Sequence, residues 1–292
     1  MIMRKLGWIL LLLSLMSPVV LSPGAARADG VALANAGHQA QLQGQWDEAI
    51  RLYTAALDSG DLNPKGRLLV MGLRANALGV RGRTEEAIAG FDAVIAADPQ
   101  NPAPYVGRGM IHLQRGEAEL AIADDDAAIR IAPQDSFARA NRAMAAFYLG
   151  KFEDAAKDYA IVQAGDPGDA GFLLWLHLAR GRAGIEDDAA FQQSAAAVDP
   201  KDWPGPVVAY FRGRATADQV EAAAAIGSKA EQLQQGCDAG FYLGEDALIQ
   251  GRKDEAKQRF AKVLADCDLY RSNFVYFSRT YGAAAAELKR LP

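Results

Sequence analysis

Hydrophobic and polar positions along this chain fall into a repeating pattern marked by glycine, alanine and proline. Six segments read Gly, four variable residues, then Ala: Gly44 to Ala49, Gly82 to Ala87, Gly116 to Ala121, Gly150 to Ala155, Gly184 to Ala189 and Gly251 to Ala256. Ala87, Ala121, Ala155 and Ala189 are evenly spaced. Ala49 precedes Ala87 by a longer interval, which lengthens the first connecting loop (Ser59-Gly60-Asp61-Leu62-Asn63-Pro64), and Ala256 falls just short of two further intervals after Ala189. Asp98-Pro99 and Asp166-Pro167 punctuate the ends of units, with Pro133 at the equivalent place. Glycine allows a tight turn between helices, alanine lets them approach closely, and proline blocks continuation into the next unit. The pattern predicts paired helices in tandem.

The interval is that of tetratricopeptide repeats, each a helix pair of about 34 residues. Trp46-Asp47-Glu48-Ala49-Ile50-Arg51-Leu52-Tyr53 and Phe152-Glu153-Asp154-Ala155-Ala156-Lys157-Asp158-Tyr159 look like the start of the second helix of such a repeat. Over about residues 30–270 the chain resembles that family. The resemblance implies an all-α fold, a right-handed superhelical solenoid of six to seven helix pairs. The expected organisation is a signal peptide (1–28), repeat units one to five (29–200), an irregular helical unit (201–236), a further repeat (237–270) and a C-terminal capping helix (271–292). Ala223 lies near the missing phase of the irregular unit, whose Pro204 and Pro206 restrict its first helix to about Val207–Arg212. Thr216 followed by Gln219 is a capping-box pattern for its second helix. Asp125 stands in the slot where Tyr53, Phe91, Tyr159 and Phe260 place an aromatic ring, so the third unit must pack differently there.

The N-terminus changes the cellular picture. Arg4 and Lys5 precede an apolar stretch from Leu6 to Leu21, followed by Ser22-Pro23-Gly24 and Ala26-Arg27-Ala28. That order predicts a secretory signal peptide cleaved after Ala28, and hence a periplasmic or secreted chain. Ser14, Ser17 and Pro18 interrupt the run, which is shorter than the ~20 apolar residues of a membrane span, and no cysteine marks a lipidation site. Removing residues 1–28 takes away three basic residues and no acid, leaving 28 basic against 36 acidic residues, a net charge of −8. Such a chain repels phosphate backbones, and no basic stripe with interleaved aromatics suggests nucleic-acid binding.

Candidate chemistry is sparse. His38, His112 and His177 come one per unit, and no spacing resembles a zinc site. Asp124-Asp125-Asp126 are adjacent and would point in different directions on a helix, against convergence on one metal ion. Asp124 follows Arg108 by the same interval at which Asp158 follows Arg142, predicting two semi-buried salt bridges between paired helices. No nucleophile elbow or phosphate-binding loop occurs, and neither a metal nor a cofactor is expected. Cys237 and Cys267, the only two cysteines, are expected to meet at the same end of one hairpin as a disulfide, in keeping with an oxidising compartment.

Carrying the family's concave groove onto this sequence gives Leu69, Leu73 and Asn76 in unit two, Val106, Met110 and Leu113 in unit three, and Phe137, Asn141, Met144, Phe147 and Tyr148 in unit four. Leu174, Trp175 and Leu178 follow in unit five. An exposed apolar trough of this kind implies a protein or peptide partner, although some of these residues would equally serve to pack the next unit. The basic residues of a chaperone-type carboxylate clamp are largely missing. The second half also resembles periplasmic repeat lipoproteins that act as adaptors between cell-wall hydrolases and the protease that degrades them. That resemblance rests on Asp202-Trp203, Val208-Ala209-Tyr210-Phe211-Arg212-Gly213, Phe241-Tyr242-Leu243-Gly244, Gly251, Ala256, Phe260, Phe274-Val275 and Ala286-Glu287-Leu288. It implies a homodimer and a capping helix over about Phe274–Leu288, but the lipid-bearing cysteine is missing. The expected function is a non-enzymatic periplasmic adaptor serving the cell envelope or peptidoglycan. Two alternatives stand beside it: an enzyme or accessory subunit using Glu186, Asp187, Asp188, Asp199 and Asp202, and a purely structural spacer.

Overall fold

The computed structural model describes residues 29–186, 188–267 and 279–292. The leader and its cleavage point, Asp187 of the acidic patch, and Phe274-Val275 at the start of the expected capping helix lie outside the described residues. Fifteen α-helices and one 3₁₀ turn make up the regular structure among the described residues, and no strand occurs there. They fall into two compact units, the first ending at Ile111 and the second beginning at His112.

The first unit contains α1 (Asp29–Leu42), α2 (Trp46–Asp58), α3 (Pro64–Val80), α4 (Thr84–Ala97) and most of α5 (Ala103–Gln114). Pro64 occupies the first turn of α3, where its missing N–H costs nothing, and the Asn63 side chain accepts from the Gly66 amide at 2.8 Å. Between α3 and α4, Gly82 adopts φ 73°, a left-handed conformation that side chains rarely tolerate. All six glycines of the Gly-x4-Ala pattern share it, with φ between 69° and 76°. Of the alanines that close the pattern, Ala49, Ala87, Ala121, Ala155 and Ala256 are fully buried, and only Ala189 is exposed. Phe91 lies against Gly107, where a Cβ would come within 2.5 Å of the ring. Glycine is what lets α5 approach α4.

The second unit continues with α6 (Ala118–Ile131), α7 (Ser136–Tyr148), α8 (Phe152–Gly165) and α9 (Ala170–Ala183). Asp135 caps α7 and Asp169 caps α9 through their side-chain oxygens. The regular pattern then breaks at the unit of the exposed Ala189. Where the period places a full second helix, there is only α10 (Asp188–Ser194) and the 3₁₀ turn Ala195–Ala197. Next come α11 (Gly205–Phe211) and α12 (Ala217–Ala224), the latter opened by the Thr216–Gln219 capping box. The next helix, α13 (Lys229–Ile249), is 21 residues long and starts well before the repeat phase. A second capping box, Ser228 with Glu231, starts it early, so Cys237 sits two turns inside the helix instead of at its opening. Helix α14 (Lys253–Cys267) pairs with it, and α15 (Arg279–Arg290) ends the chain. Cys237 and Cys267 are joined as a disulfide with their Cα atoms 6.2 Å apart.

Candidate binding faces

In the second unit the expected groove residues are interior. Phe147, Leu174 and Leu178 are fully buried, Trp175 is 3% exposed, and Leu113, Met144 and Tyr148 are also buried. Phe137 is half-buried. The sequence predicted an exposed trough here; the chain itself fills it. From α13, Phe241 brings its ring to 5.2 Å from Trp175 and 6.4 Å from Phe147, and Tyr242 lies 6.4 Å from Trp175. Phe147 also meets Trp175 edge-on at 5.2 Å and Phe152 at 5.0 Å. Aromatic side chains bury large areas, and edge-on pairs add to that burial. Helix α15 covers the end of α7: Tyr148 donates its hydroxyl to the Arg279 carbonyl at 2.8 Å, and Gly282 leaves room for the Tyr148 ring. Apart from the half-buried Phe137, these groove positions therefore offer no surface to a partner.

A buried ion network seals the same region. The Arg182 guanidinium on α9 donates to Glu245 of α13 at 2.6 Å and lies 2.8 Å from Glu287 of α15. Glu287 also pairs with Arg290, whose guanidinium bonds the Tyr148 carbonyl. The Phe152 ring lies under both cations, 4.3 Å from Arg182 and 5.5 Å from Arg290. Burial, with Glu287 nearby, pushes the Glu245 carboxyl up to about 8, against the pull of Arg182. Sequence reasoning missed this network because its members are spread over three distant helices.

Charged pairs recur at one fixed spacing along the chain. Arg142 bonds Asp158 in a two-pronged contact at 2.7 and 2.8 Å and reaches back to Asp126 at 2.6 Å, which holds its guanidinium firmly protonated. Arg139 adds a further contact to Asp158 at 3.3 Å. In the first unit Arg108 pairs with Asp92 of α4. The other expected partner, Asp124, belongs to the second unit, where it is buried with His112 Nε2 3.9 Å away. Asp125, fully buried, accepts both of its hydrogen bonds from the Asn141 amide, at 3.0 and 2.8 Å. Asn141 is thus committed inside the fold and is not a groove contact.

The remaining candidates behave differently from one another. His112 Nδ1 lies 2.7 Å from Glu117, and His177 stacks on Phe191 at 4.1 Å. Glu186, Asp188, Asp199 and Asp202 are exposed, and the Asp199 side chain caps its own loop through the Lys201 amide. Among the described residues no group of three or more His, Cys, Asp or Glu side chains is placed to hold a metal ion, and no helix is long and apolar enough to cross a membrane.

Of the expected groove positions, those of the first unit keep the most surface. Leu69, Leu73 and Asn76 on α3 are half-buried, as is Met110 on α5, while Val106 is buried. Positions 69, 73 and 76 follow the i, i+4, i+7 spacing of a single helix face. The nearly opposite face of α3 floors a crevice of about 450 Å³ between α2 and α4, lined by Ile50, Thr54, Met71, Arg74, Leu78 and Gly90 among others. Sequence reasoning did not single out this crevice.

Comparison with known proteins agrees with the hairpin geometry. The sequence profile of the family described as Tetratricopeptide repeat matches residues 35–102 and 73–136. A comparison with curated proteins finds no match. Among solved structures, a tetratricopeptide repeat protein from Parabacteroides merdae is similar with a TM-score of 0.55 at 14% identity, over 85% of this chain and 98% of that one. The MamA protein is similar with a TM-score of 0.50 at 18% identity, over 60% of this chain and 95% of its own. MamA from Desulfovibrio magneticus, from residue 41 to its end, gives 0.50 at 19% identity, over 58% and 94%. At these identities the likeness is one of fold. With tandem helix hairpins and left-handed glycines at every Gly-x4-Ala turn, the chain has the all-α fold of tetratricopeptide repeat solenoids, and residues 35–136 match the sequence profile of that repeat.

Proposed function

We propose that this protein is a non-enzymatic adaptor, exported to the periplasm, that holds another protein of the cell envelope against its first unit. Helical repeats present extended surfaces to other proteins, but a fold does not specify which partner is held; the residues of the open face do. The observation that carries it is the row Leu69, Leu73 and Asn76 on one face of α3, still partly open while the corresponding row in the second unit is filled from within. Export is supported by the charged, apolar and small-residue order of residues 4–28. A role near peptidoglycan and a homodimeric state rest on the likeness of the second half to periplasmic adaptor lipoproteins.

Affinity capture from a periplasmic extract tests the partner face. The native chain should recover discrete proteins that a Leu69→Asp/Leu73→Asp variant, shown to be folded by circular dichroism, does not. Equal recovery by both would refute the assignment of this face. Mass measurement of the exported chain should find Asp29 at its N-terminus; a retained leader would refute cleavage after Ala28.

A further inference from the structure

Arg74 belongs to a series whose other members are neutralised. Arg74, Arg108 and Arg142 stand one repeat period apart, one per repeat. The acidic positions keep the same period: Asp92 and Asp126 precede the later two arginines, and Asp124 and Asp158 follow them, always by the same interval. Arg142 bonds both Asp126 and Asp158, and Arg108 bonds Asp92. In the first crevice both acidic positions are vacated. Allowing for the longer first loop, Thr54 stands where Asp92 and Asp126 recur, and Gly90 stands where Asp124 and Asp158 recur. Thr54, Arg74 and Gly90 line one crevice of about 450 Å³. Packing explains the glycine: a Cβ there would come within 2.9 Å of the Ala75 Cβ. The Thr54 hydroxyl is turned to its own helix, donating to the Ile50 carbonyl at 2.8 Å.

Arg74 makes no hydrogen bond or ion pair among the described residues. The other charged groups of the crevice are Arg83 and Glu86, which hold each other at 2.7 Å through two parallel hydrogen bonds. Glu86 feels Arg74 electrostatically, but its carboxylate is committed to Arg83. The crevice thus carries one guanidinium in excess, set among Ile50, Met71 and Leu78. We infer that this crevice receives an acidic side chain of a protein partner, a glutamate or aspartate flanked by apolar residues, which supplies the carboxylate missing from the repeat. A planar guanidinium prefers a two-pronged carboxylate contact, and the apolar lining suits the flanking side chains. Met71, Arg74 and Leu78 lie on nearly the opposite face of α3 from Leu69, Leu73 and Asn76, so this site stands or falls independently of the adaptor face proposed above.

The test is a titration of the whole chain, followed by backbone amide chemical shifts, with an acetylated and amidated peptide carrying one glutamate between leucines. A glutamine peptide and sodium acetate serve as the other arms. The glutamate peptide should shift the amides of Thr54, Met71, Arg74 and Gly90 and bind about tenfold more tightly than the glutamine peptide, the ratio expected for a charge-assisted contact. Arg74→Met, which keeps the apolar stem, should abolish that preference. Thr54→Asp should abolish it by supplying the acid from within, and either variant suffices if the other fails to fold. Equal binding of the two peptides, a preference that survives in a folded variant, or acetate shifting the same amides as strongly as the peptide would overturn the proposal. Loss of partner capture by Leu69→Asp/Leu73→Asp alone leaves it standing.

Discussion

Asn141 donates its side-chain amide to both carboxylate oxygens of Asp125, in the slot where neighbouring repeats bury an aromatic ring. Burial raises the Asp125 carboxyl well above its ordinary range, and Asn141 opposes that shift. Asn141→Ala should destabilise the second unit by about 2–3 kcal/mol, since a buried acceptor loses its partner. The combination Asp125→Phe/Asn141→Gly recreates the pair seen at Phe91 and Gly107. It should recover most of that loss in urea unfolding; a double variant no more stable than Asn141→Ala alone would show that the slot is not equivalent.

Arg182 is the cation between two buried carboxylates, Glu245 and Glu287. Removing one partner of a buried ion pair leaves charge uncompensated. Arg182→Met should therefore cost about 3–5 kcal/mol and loosen α15 first, read as faster amide exchange over residues 279–290. Unchanged exchange there would contradict a sealing role.

The disulfide ties α13 to α14 across a sequence separation of 30 residues. Cys237→Ser/Cys267→Ser should lower stability by about 3.5 kcal/mol in the chain-entropy account. Reductant should lower the melting temperature of the native chain and leave that of the variant unchanged. Equal sensitivity to reductant would rule the cross-link out as the cause.

Two carboxyls, the half-buried Asp238 and the fully buried Glu245, set a pH dependence. Asp238 accepts from Trp203 and Thr280, yet burial pushes it up to about 6, and Glu245 is raised to about 8. A raised carboxyl binds its proton more tightly in the folded state than in the unfolded one. Its contribution is fully present below the unfolded value near 4 and is lost as pH rises through the folded value. For Asp238 the loss amounts to about 3 kcal/mol across that window. Stability of the second unit should fall between pH 4 and pH 8, and Asp238→Asn should flatten the lower part of that fall. Stability rising over the same interval would contradict the assignment.

Local and periodic features were legible in the sequence. Left-handed turns at Gly82 and Gly116 follow from the Gly-x4-Ala pattern, and the α12 cap follows from Thr216 and Gln219. Counting by period obscured another local signal, the Ser228–Glu231 box that starts α13 early. Spacing alone places Leu69, Leu73 and Asn76 on one helix face. It says nothing of what covers a face, because the contact of Trp175 with Phe241 and the bond from Tyr148 to Arg279 join residues far apart in the chain. Thr54 and Gly90 are ordinary residues by themselves. They acquire meaning only when aligned with the aspartates that bond Arg108 and Arg142.

Hydrogen exchange of the intact chain, alone and with its captured partner, tests most directly whether the first unit is the binding face. The account predicts slow exchange in α7 and α9 before any partner is added, with new protection on binding confined to α3 and the adjoining part of α5. New protection in α7 and α9, with none in α3, would show that the filled face opens to hold the partner and would contradict it.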